Sequence, residues 1–325
     1  MIDYPLKFKP ILKDKIWGGE KLKNLLKKES NRSNIGESWE ISTVENDISI
    51  IINGSLKGKS LIEIIEKERE HLLGKKVYRE FGNQFPLLIK YIDAKEALSI
   101  QLHPNDALAK SRHNSFGKTE MWYVMQADNK ANLQVGFKEL VSKETYLKNV
   151  ENKTLVDILN FDEVAKGDVY FIPTGRVHAI GAGVLLAEIQ QTSDVTYRIY
   201  DWDRQDDQGN YRELHTEEAL DALDFSVSNK YSTDYSNKTN KISNIVNCKY
   251  FTTNIIPIDN ILKIDNSAKD SFVIYMCVAG ESVKLRSDNF EEKIDFGETI
   301  LVPACIKELD IIPLGVSELL EIYIS

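Results

Sequence analysis

The chain has 325 residues, of which 42% are hydrophobic and 28% are charged, which is typical of a globular protein of about two domains. The formal net charge of −9 argues against a nucleic-acid backbone as the main partner, because that partner favours a basic surface. The start of the chain lacks the apolar core of a signal peptide, and no apolar run is long enough to span a membrane. We therefore expect a cytoplasmic protein with no nucleic-acid or membrane partner, and nothing indicates an obligate protein partner.

Strands are the commonest predicted element. Six short runs rich in β-branched and aromatic residues are bounded by turn residues, at 48–52, 86–92, 169–172, 183–190, 271–278 and 319–324. Ser60 and Glu63 form a capping-box pattern and Gly74 is a stop signal, so a helix is predicted over 61–73. Further helices are expected near 105–113, 142–160 and 216–223. The polar segment 226–241 is predicted to be a linker or an exposed crossing segment.

A short motif occurs twice in the chain. The letters GDVYFIP at 167–173 return as GETILVP at 297–303. An aromatic and apolar run precedes each copy, at 122–125 and 273–276. The repeat predicts two related β-units, each a small barrel or jelly roll.

The fold class predicted from these patterns is mainly β, with two units and a few helices between their strands. We place the first unit at 1–235, with helical insertions, and the second at 236–325. The second copy of the motif is not followed by a glycine and a histidine, as the first copy is. The second unit is therefore expected to keep the fold without a metal site.

Three cysteines, Cys248, Cys277 and Cys305, are an odd number and form no CxxC pair. This pattern favours free thiols in a reducing compartment.

The most informative stretch is GDVYFIPTGRVH, at residues 167–178. A glycine turn opens it, an apolar run short enough for one buried strand follows, and a proline and a glycine then force a second turn. This pattern places His178 at the mouth of a β-structure, where an imidazole can bind a metal.

Three more polar residues fit the same kind of site. Gln101 and His103 are at i and i+2, so both side chains point to one side of a strand, and Glu120 lies between them and His178. Two histidines, a carboxylate and an amide suit a divalent ion and leave a position for substrate. Each residue also has an ordinary structural interpretation, since a lone histidine is more often a hydrogen-bonding group than a ligand.

The spacing Gly-x5-Pro-x-Gly-x2-His that ends at His178 resembles the second motif of the cupin superfamily. Other motifs resemble the type I mannose-6-phosphate isomerases, and more specifically their short bacterial branch. They are IWG at 16–18, GESWEI at 36–41, SIQLHPND at 99–106, GKTEMW at 117–122 and TYRIYDWDR at 196–204. The resemblance is strong over residues 6–204, and the remainder is similar only to a degenerate cupin.

This resemblance implies a fold of two cupin jelly-roll barrels. It also implies a cytoplasmic enzyme that interconverts mannose 6-phosphate and fructose 6-phosphate, so the partner is a small-molecule sugar phosphate. It implies one Zn2+ ion per chain, held by His103, Glu120, His178 and Gln101. Arg198 matches the catalytic arginine of the family. Further positions that match its active site are Lys118, Glu188 and Asp194.

These residue types suit an isomerisation that moves a proton between C1 and C2 through a cis-enediol. Arg198 is a permanently charged donor for the developing oxyanion, whereas the proton carrier is either Lys118 or Glu188. The phosphate needs a cationic anchor, for which the candidates are Arg198, Arg204 and, more weakly, Lys90. Trp17 has two interpretations, packing in the core or stacking on the sugar.

Two other functions are compatible with the same residues. One is a non-catalytic cupin that binds sugars or regulates, which predicts metal or sugar binding without turnover. The other is an iron-dependent cupin oxygenase, which also uses two histidines and one carboxylate. The intact set of His103, Glu120, His178, Lys118 and Arg198 favours the isomerase.

Overall fold

A computed structural model of the protein describes residues 2–206 and 208–325. Within these residues it has 23 strands and seven α-helices, so the predicted mainly β class with interspersed helices is confirmed. The strands are β1 (Leu6–Lys7), β2 (Ile11–Gly19), β3 (Ile35–Ile41), β4 (Thr43–Val44), β5 (Asp47–Ile48), β6 (Leu87–Ala94), β7 (Ile100–Leu102), β8 (Glu120–Ala127), β9 (Asn132–Phe137), β10 (Leu159–Glu163), β11 (Val169–Ile172), β12 (His178–Ile180), β13 (Val184–Gln191), β14 (Tyr197–Tyr200), β15 (Ser243–Asn247), β16 (Thr252–Ile258), β17 (Leu262–Asp265), β18 (Val273–Gly280), β19 (Ser282–Arg286), β20 (Glu291–Asp295), β21 (Thr299–Val302), β22 (Glu308–Pro313) and β23 (Ser317–Tyr323). The helices are α1 (Lys21–Asn24), α2 (Leu61–Glu68), α3 (Glu70–Leu73), α4 (Lys75–Phe81), α5 (Asp106–His113), α6 (Lys143–Glu151) and α7 (Thr216–Ala222). In the described part of the chain, none of these helices is both long and apolar enough to cross a membrane.

The four larger sheets are stacked as layers. Their strand orders are β10-β9-β12-β7-β14, β11-β8-β13-β6-β2-β3, β1-β21-β18-β23-β16-β15 and β17-β22-β19-β20. Side chains of β13 alternate between two cores: Leu186 packs between the first two sheets, and Leu185 packs between the middle two. In the same way Met276 of β18 joins the middle core, and Tyr275 packs against the fourth sheet. Each unit is therefore a pair of facing sheets, and the two units share the core between them.

The repeated sequence motif has the same backbone structure in both copies. The Gly167 N–H donates to Val124 O at 2.8 Å, and the Gly297 N–H donates to Cys277 O at 2.8 Å. Both glycines have positive φ angles, +95° and +82°, which side chains on other residues disfavour. The strands that follow pair in the same way, β11 with β8 and β21 with β18. The predicted internal repeat is confirmed, while the boundary between residues 235 and 236 stays a prediction.

The helical segment predicted over 61–73 is broken in the structure. It begins with the predicted capping box of Ser60 and Glu63, but Arg69 has φ +47° and separates α2 from α3. The break directs the side chains of Leu72 and Leu73 into the shared core. The carbonyls of these two residues accept hydrogen bonds from backbone N–H groups of the second unit. Gly74 ends α3 as predicted.

Two other predicted segments differ in detail from the structure, and a third agrees with it. In 48–52 only the first residue lies in a strand, because residues 50 and 51 form isolated antiparallel bridges to Ser60 and Phe8 that do not extend into a ladder. The helix expected over 142–160 ends at Glu151. A separate 3-10 turn follows at Leu155–Ile158. The segment 226–241 has no helix or strand, as predicted.

That segment is nevertheless held on the first unit by two tyrosines. The buried Tyr231 donates its hydroxyl hydrogen to Phe137 O at 2.9 Å, and Tyr235 donates to Gly167 O at 2.7 Å. It is therefore an ordered crossing segment. The three cysteines are free thiols, as predicted.

Candidate active site

The candidate site lies between the two facing sheets of the first unit. On one sheet, His178 of β12 is the register partner of Gln101 in β7, and Gln101 is the partner of Arg198 in β14. Because register partners in adjacent strands point to the same side, these three side chains form a row. All three line one cavity.

The facing sheet contributes a second row to this cavity. Successive register partners across β8, β13, β6 and β3 are Trp122, Glu188, Lys90 and Trp39. Glu188 is bonded on both oxygens, since Lys90 Nζ lies 3.0 Å from Oε1 and Trp122 Nε1 donates to Oε2 at 2.9 Å. Burial raises the pKa of Glu188, but Lys90 and Lys118 outweigh it and lower that pKa overall, so the group is a carboxylate at neutral pH.

The two predicted histidines and Glu120 converge in the structure. His103 Nδ1 lies 3.0 Å from Val195 O, and His178 Nδ1 lies 2.8 Å from Arg176 O. A carbonyl can only accept, so these contacts assign the proton to Nδ1 and leave a lone pair on each Nε2. Both Nε2 atoms face Glu120, each 3.5 Å from one of its carboxylate oxygens.

This group of residues fits a metal ion. Glu120 is fully buried, and neither of its oxygens accepts a hydrogen bond of normal geometry, although Lys118 Nζ lies 3.3 Å from Oε2. Zinc–ligand bonds of about 2.1 Å place tetrahedral ligand atoms about 3.4 Å apart, close to the 3.5 Å between each Nε2 and its Glu120 oxygen, and all three ligand atoms lie within 4.8 Å of one another. It is the one such cluster of histidine, cysteine and acidic residues in the described ranges 2–206 and 208–325.

The electrostatics of the cluster also suit metal binding. Burial lowers the pKa of His178 to about 4, and it lowers the pKa of His103 well below its usual value. Both imidazoles are therefore neutral at pH 7, which is the form that binds metals. Burial and the nearby Glu188 raise the pKa of Glu120 to about 7, so an uncompensated negative charge is costly here and a cation would relieve that cost.

Gln101 lies at the edge of this cluster. Its Nε2 is 3.5 Å from His178 Nε2, and it lines the cavity beside that ring. The amide is therefore within reach of an ion bound by the histidines, after a half-turn of the amide group that exchanges the positions of its oxygen and nitrogen.

The other predicted site residues fall into two groups. Trp17, Lys90, Lys118, Glu188, Asp194 and Arg198 all line the cavity. Arg204 is not among the lining residues. Its guanidinium instead donates to Ala97 O at 2.7 Å and to the carboxylate of Asp201 at 2.5 Å. Arg212 lines the cavity instead.

Sequence reasoning missed Arg212, Lys15 and Glu37, which also face the cavity. Glu37 is buried and accepts from Trp39 Nε1 at 2.6 Å, and Lys15 Nζ lies 3.1 Å from its other oxygen. A signal for Glu37 was present in the GESWEI motif. Glu37 and Trp39 are at i and i+2 of one strand, so their side chains point to the same side. Arg212 lies in a loop, where no periodicity indicates direction.

Comparisons with known proteins agree on one protein family. The family model of the phosphomannose isomerase type I catalytic domain matches residues 6–145. The mannose-6-phosphate isomerase ManA of Bacillus subtilis is 36% identical over 256 residues, which are 78% of this chain and 79% of the relative. A mannose-6-phosphate isomerase of Streptococcus mutans is 40% identical over 223 residues, 67% of each chain.

The fold is also that of a solved relative. The crystal structure of the mannose 6-phosphate isomerase from Bacillus subtilis superposes with a TM-score of 0.88 at 31% sequence identity. The match covers 98% of this chain and 99% of that structure, so it extends far beyond the residues 6–145 that the family model matches. Sequence, fold and the buried cluster agree, and the chain belongs to the type I phosphomannose isomerase family.

Proposed function

We propose that this protein interconverts mannose 6-phosphate and fructose 6-phosphate. The observation that carries the proposal is the buried cluster of His103, Glu120 and His178, which shares a cavity with Arg198 and the Lys90–Glu188 pair. The relatives in Bacillus subtilis and Streptococcus mutans carry the name of this activity. The free cysteines agree with a reducing compartment, and the cytoplasm is the location that we propose.

We assign one zinc ion per chain to His103, Glu120 and His178, with Gln101 as a fourth ligand. When bound, the ion supplies a Lewis acid that polarises the carbonyl and hydroxyl oxygens on C1 and C2. The chain prepares the site by fixing both histidine tautomers through backbone carbonyls, which orients the rings and keeps Nε2 available.

Glu188 takes the role of proton carrier between C1 and C2 in this proposal. It is ionised, it lines the cavity, and its two bonds to Lys90 and Trp122 hold the carboxylate in one orientation. A positioned carboxylate can accept the proton from one carbon and return it to the next, through a cis-enediol. Lys118 is the alternative carrier; its ammonium lies 3.3 Å from Glu120 and 3.2 Å from His103 Nε2.

Arg198 stabilises the negative charge that develops on the substrate oxygens. Its guanidinium is half-buried and is held by two bonds, from Nε to Ser99 Oγ at 3.3 Å and from Nη1 to Glu213 O at 2.9 Å. Among residues 2–206 and 208–325 the Nη2 hydrogens have no acceptor, so they can donate into the cavity and the charge is oriented before the substrate arrives.

The test is a coupled assay of purified protein with mannose 6-phosphate, which detects fructose 6-phosphate before and after chelation and after zinc is added back. We expect turnover that chelation abolishes and zinc restores. Folded, zinc-loaded protein without turnover would contradict the isomerase proposal and favour a sugar-binding cupin. Oxygen consumption with an iron-loaded protein would instead indicate the oxygenase.

A further inference from the structure

Five cations line the cavity, and three of them are neutralised by their own carboxylate. These pairs are Lys15 with Glu37 at 3.1 Å, Lys90 with Glu188 at 3.0 Å and Lys118 with Glu120 at 3.3 Å. The two others are arginines. Arg198 makes no ion pair with any carboxylate in the described chain, and Arg212 shares one carboxylate with another cation.

That shared carboxylate is Asp201, which is buried. Arg212 donates to it through Nε at 2.6 Å and through Nη2, and Arg204 donates to it through Nη2 at 2.5 Å. One carboxylate thus faces two guanidinium groups, so this cluster of Asp201, Arg204 and Arg212 carries a net positive charge, and Asp194 is the one further acid on the cavity wall that has no cation paired with it among the described residues. Nη1 of Arg212 has no hydrogen-bond acceptor among the described residues, whereas Nη1 of Arg204 is bonded to Ala97 O.

The position of this charge matches one end of a sugar phosphate. The row of His178, Gln101 and Arg198 crosses three strands, and adjacent strands lie about 4.8 Å apart, so the ends of the row are about 10 Å apart. The reacting carbons C1 and C2 belong at the histidine end. The phosphate on C6 is at the opposite end of the carbon chain and therefore falls towards Arg212. Arg198 Nε is bonded to Ser99 Oγ, which in turn lies 3.4 Å from Gln101 Oε1, so its guanidinium stays beside the reacting end.

We propose that Arg212 is the phosphate anchor of this site and sets its preference for a phosphorylated sugar. Arg204 is a positioning residue, which holds Asp201 so that Asp201 can orient Arg212. The free edge of a guanidinium suits phosphate oxygens, and the excess charge favours a dianion. This inference rests on the proposed isomerase function for the identity of the sugar, but not for phosphate binding itself.

The first measurement is the kinetics of Arg212→Gln with mannose 6-phosphate, with Arg79→Gln on the exposed face of α4 as the matched control. A hydrogen bond to a charged group is worth about 1.5–3 kcal/mol, which corresponds to roughly a 10- to 100-fold change. We expect KM, and the inhibition constant of inorganic phosphate, to rise by that factor while kcat changes only a few-fold. Arg212→Lys should fall between the wild type and the glutamine variant.

The second measurement is calorimetric binding of inorganic phosphate to the zinc-loaded wild type and Arg212→Gln, which needs no turnover. Asp201 keeps Arg204 as its partner in this variant, so the melting temperature and bound zinc should stay near wild-type values. Unchanged phosphate affinity, or a loss of kcat at constant KM, would overturn the anchor. Weakened phosphate binding in a protein that never turns over would support the anchor while contradicting the isomerase.

Discussion

His103 and His178 stand with their ring centroids 4.7 Å apart, and each is in contact through Nδ1 with a backbone carbonyl. The two carbonyls belong to different loops, yet they direct both Nε2 lone pairs to the same point beside Glu120. Because the rings are oriented by the backbone, the ligand geometry exists before any ion binds. Metal affinity should therefore depend steeply on each ring.

The first prediction concerns His178→Ala. We expect the variant to lose bound metal and turnover together, because a site of three or four ligands tolerates the loss of one poorly. Metal analysis after dialysis and the coupled assay measure both. His71→Ala, on the exposed side of α3, is the control and should keep its metal. Turnover at wild-type metal content in His178→Ala would show that the ligand assignment is wrong.

The second prediction separates fold from chemistry at Arg198. Arg198→Lys should keep the melting temperature and bound metal but lose roughly 100-fold in kcat, since an ammonium does not replace a planar, oriented guanidinium. Steady-state kinetics and metal analysis are the measurements, with the exposed Arg79→Lys as the control. A kcat within a few-fold of wild type would remove the transition-state role from Arg198.

The third prediction is a pH dependence of stability that arises from Glu37. Burial raises its pKa, but Lys90, Lys15 and the bond from Trp39 outweigh burial and lower the pKa to about 2, from 4.5. A lowered folded pKa contributes stability above pH 4.5, and that contribution, about 3 kcal/mol, disappears as the pH falls from about 5 to 2.

Urea unfolding of the wild type and Glu37→Gln over this pH range tests the linkage. The stability difference between them should be largest near neutral pH and should shrink by about 3 kcal/mol at the acid end. Groups common to both proteins cancel in this difference. Glu66→Gln, at an exposed position of α2, should show no such change. A pH-independent difference for Glu37→Gln would mean that its ionisation is not coupled to folding.

The fourth prediction uses the repeat. Glu321 occupies in the second unit the register position of Glu188 in the first, opposite Tyr275, where Glu188 is opposite Trp122. It is fully buried and bonds to Tyr275 and Lys269, the latter at 2.7 Å. It therefore keeps the buried acid of the repeat without the histidines.

We expect Glu321→Gln to destabilise the protein by about 3 kcal/mol, because it removes the carboxylate that neutralises the Lys269 ammonium and leaves that ammonium only the neutral Asn266 oxygen. The folded variant should keep wild-type kcat and metal content, whereas Glu188→Gln should keep its metal and lose turnover. Denaturant unfolding and the coupled assay on both variants distinguish these roles. Loss of metal from Glu321→Gln would show that the second unit is coupled to the site.

Local patterns in the sequence were sufficient for several parts of this protein. The turn at residues 173–175 stops β11 and returns the chain into β12 at His178, because proline and glycine restrict or permit backbone angles regardless of distant contacts. The i, i+2 spacing of Gln101 and His103 and the motif repeat were readable for the same reason. Patterns of this kind predicted the mainly β class, the repeat and the candidate ligands.

Only the tertiary structure decided how these residues meet. Arg204 and Arg212 both follow β14 and both donate to Asp201, yet Arg204 is also held by Ala97 O while Arg212 lines the cavity. Lys15 was hidden in the same way, since a charged residue in a strand has no local mark that it faces a cavity. The sequence alone determined which side chains have the right chemistry, because turn propensity and alternation are local. The tertiary structure decided which of them face one another, because strand register and loop paths depend on packing across the whole chain.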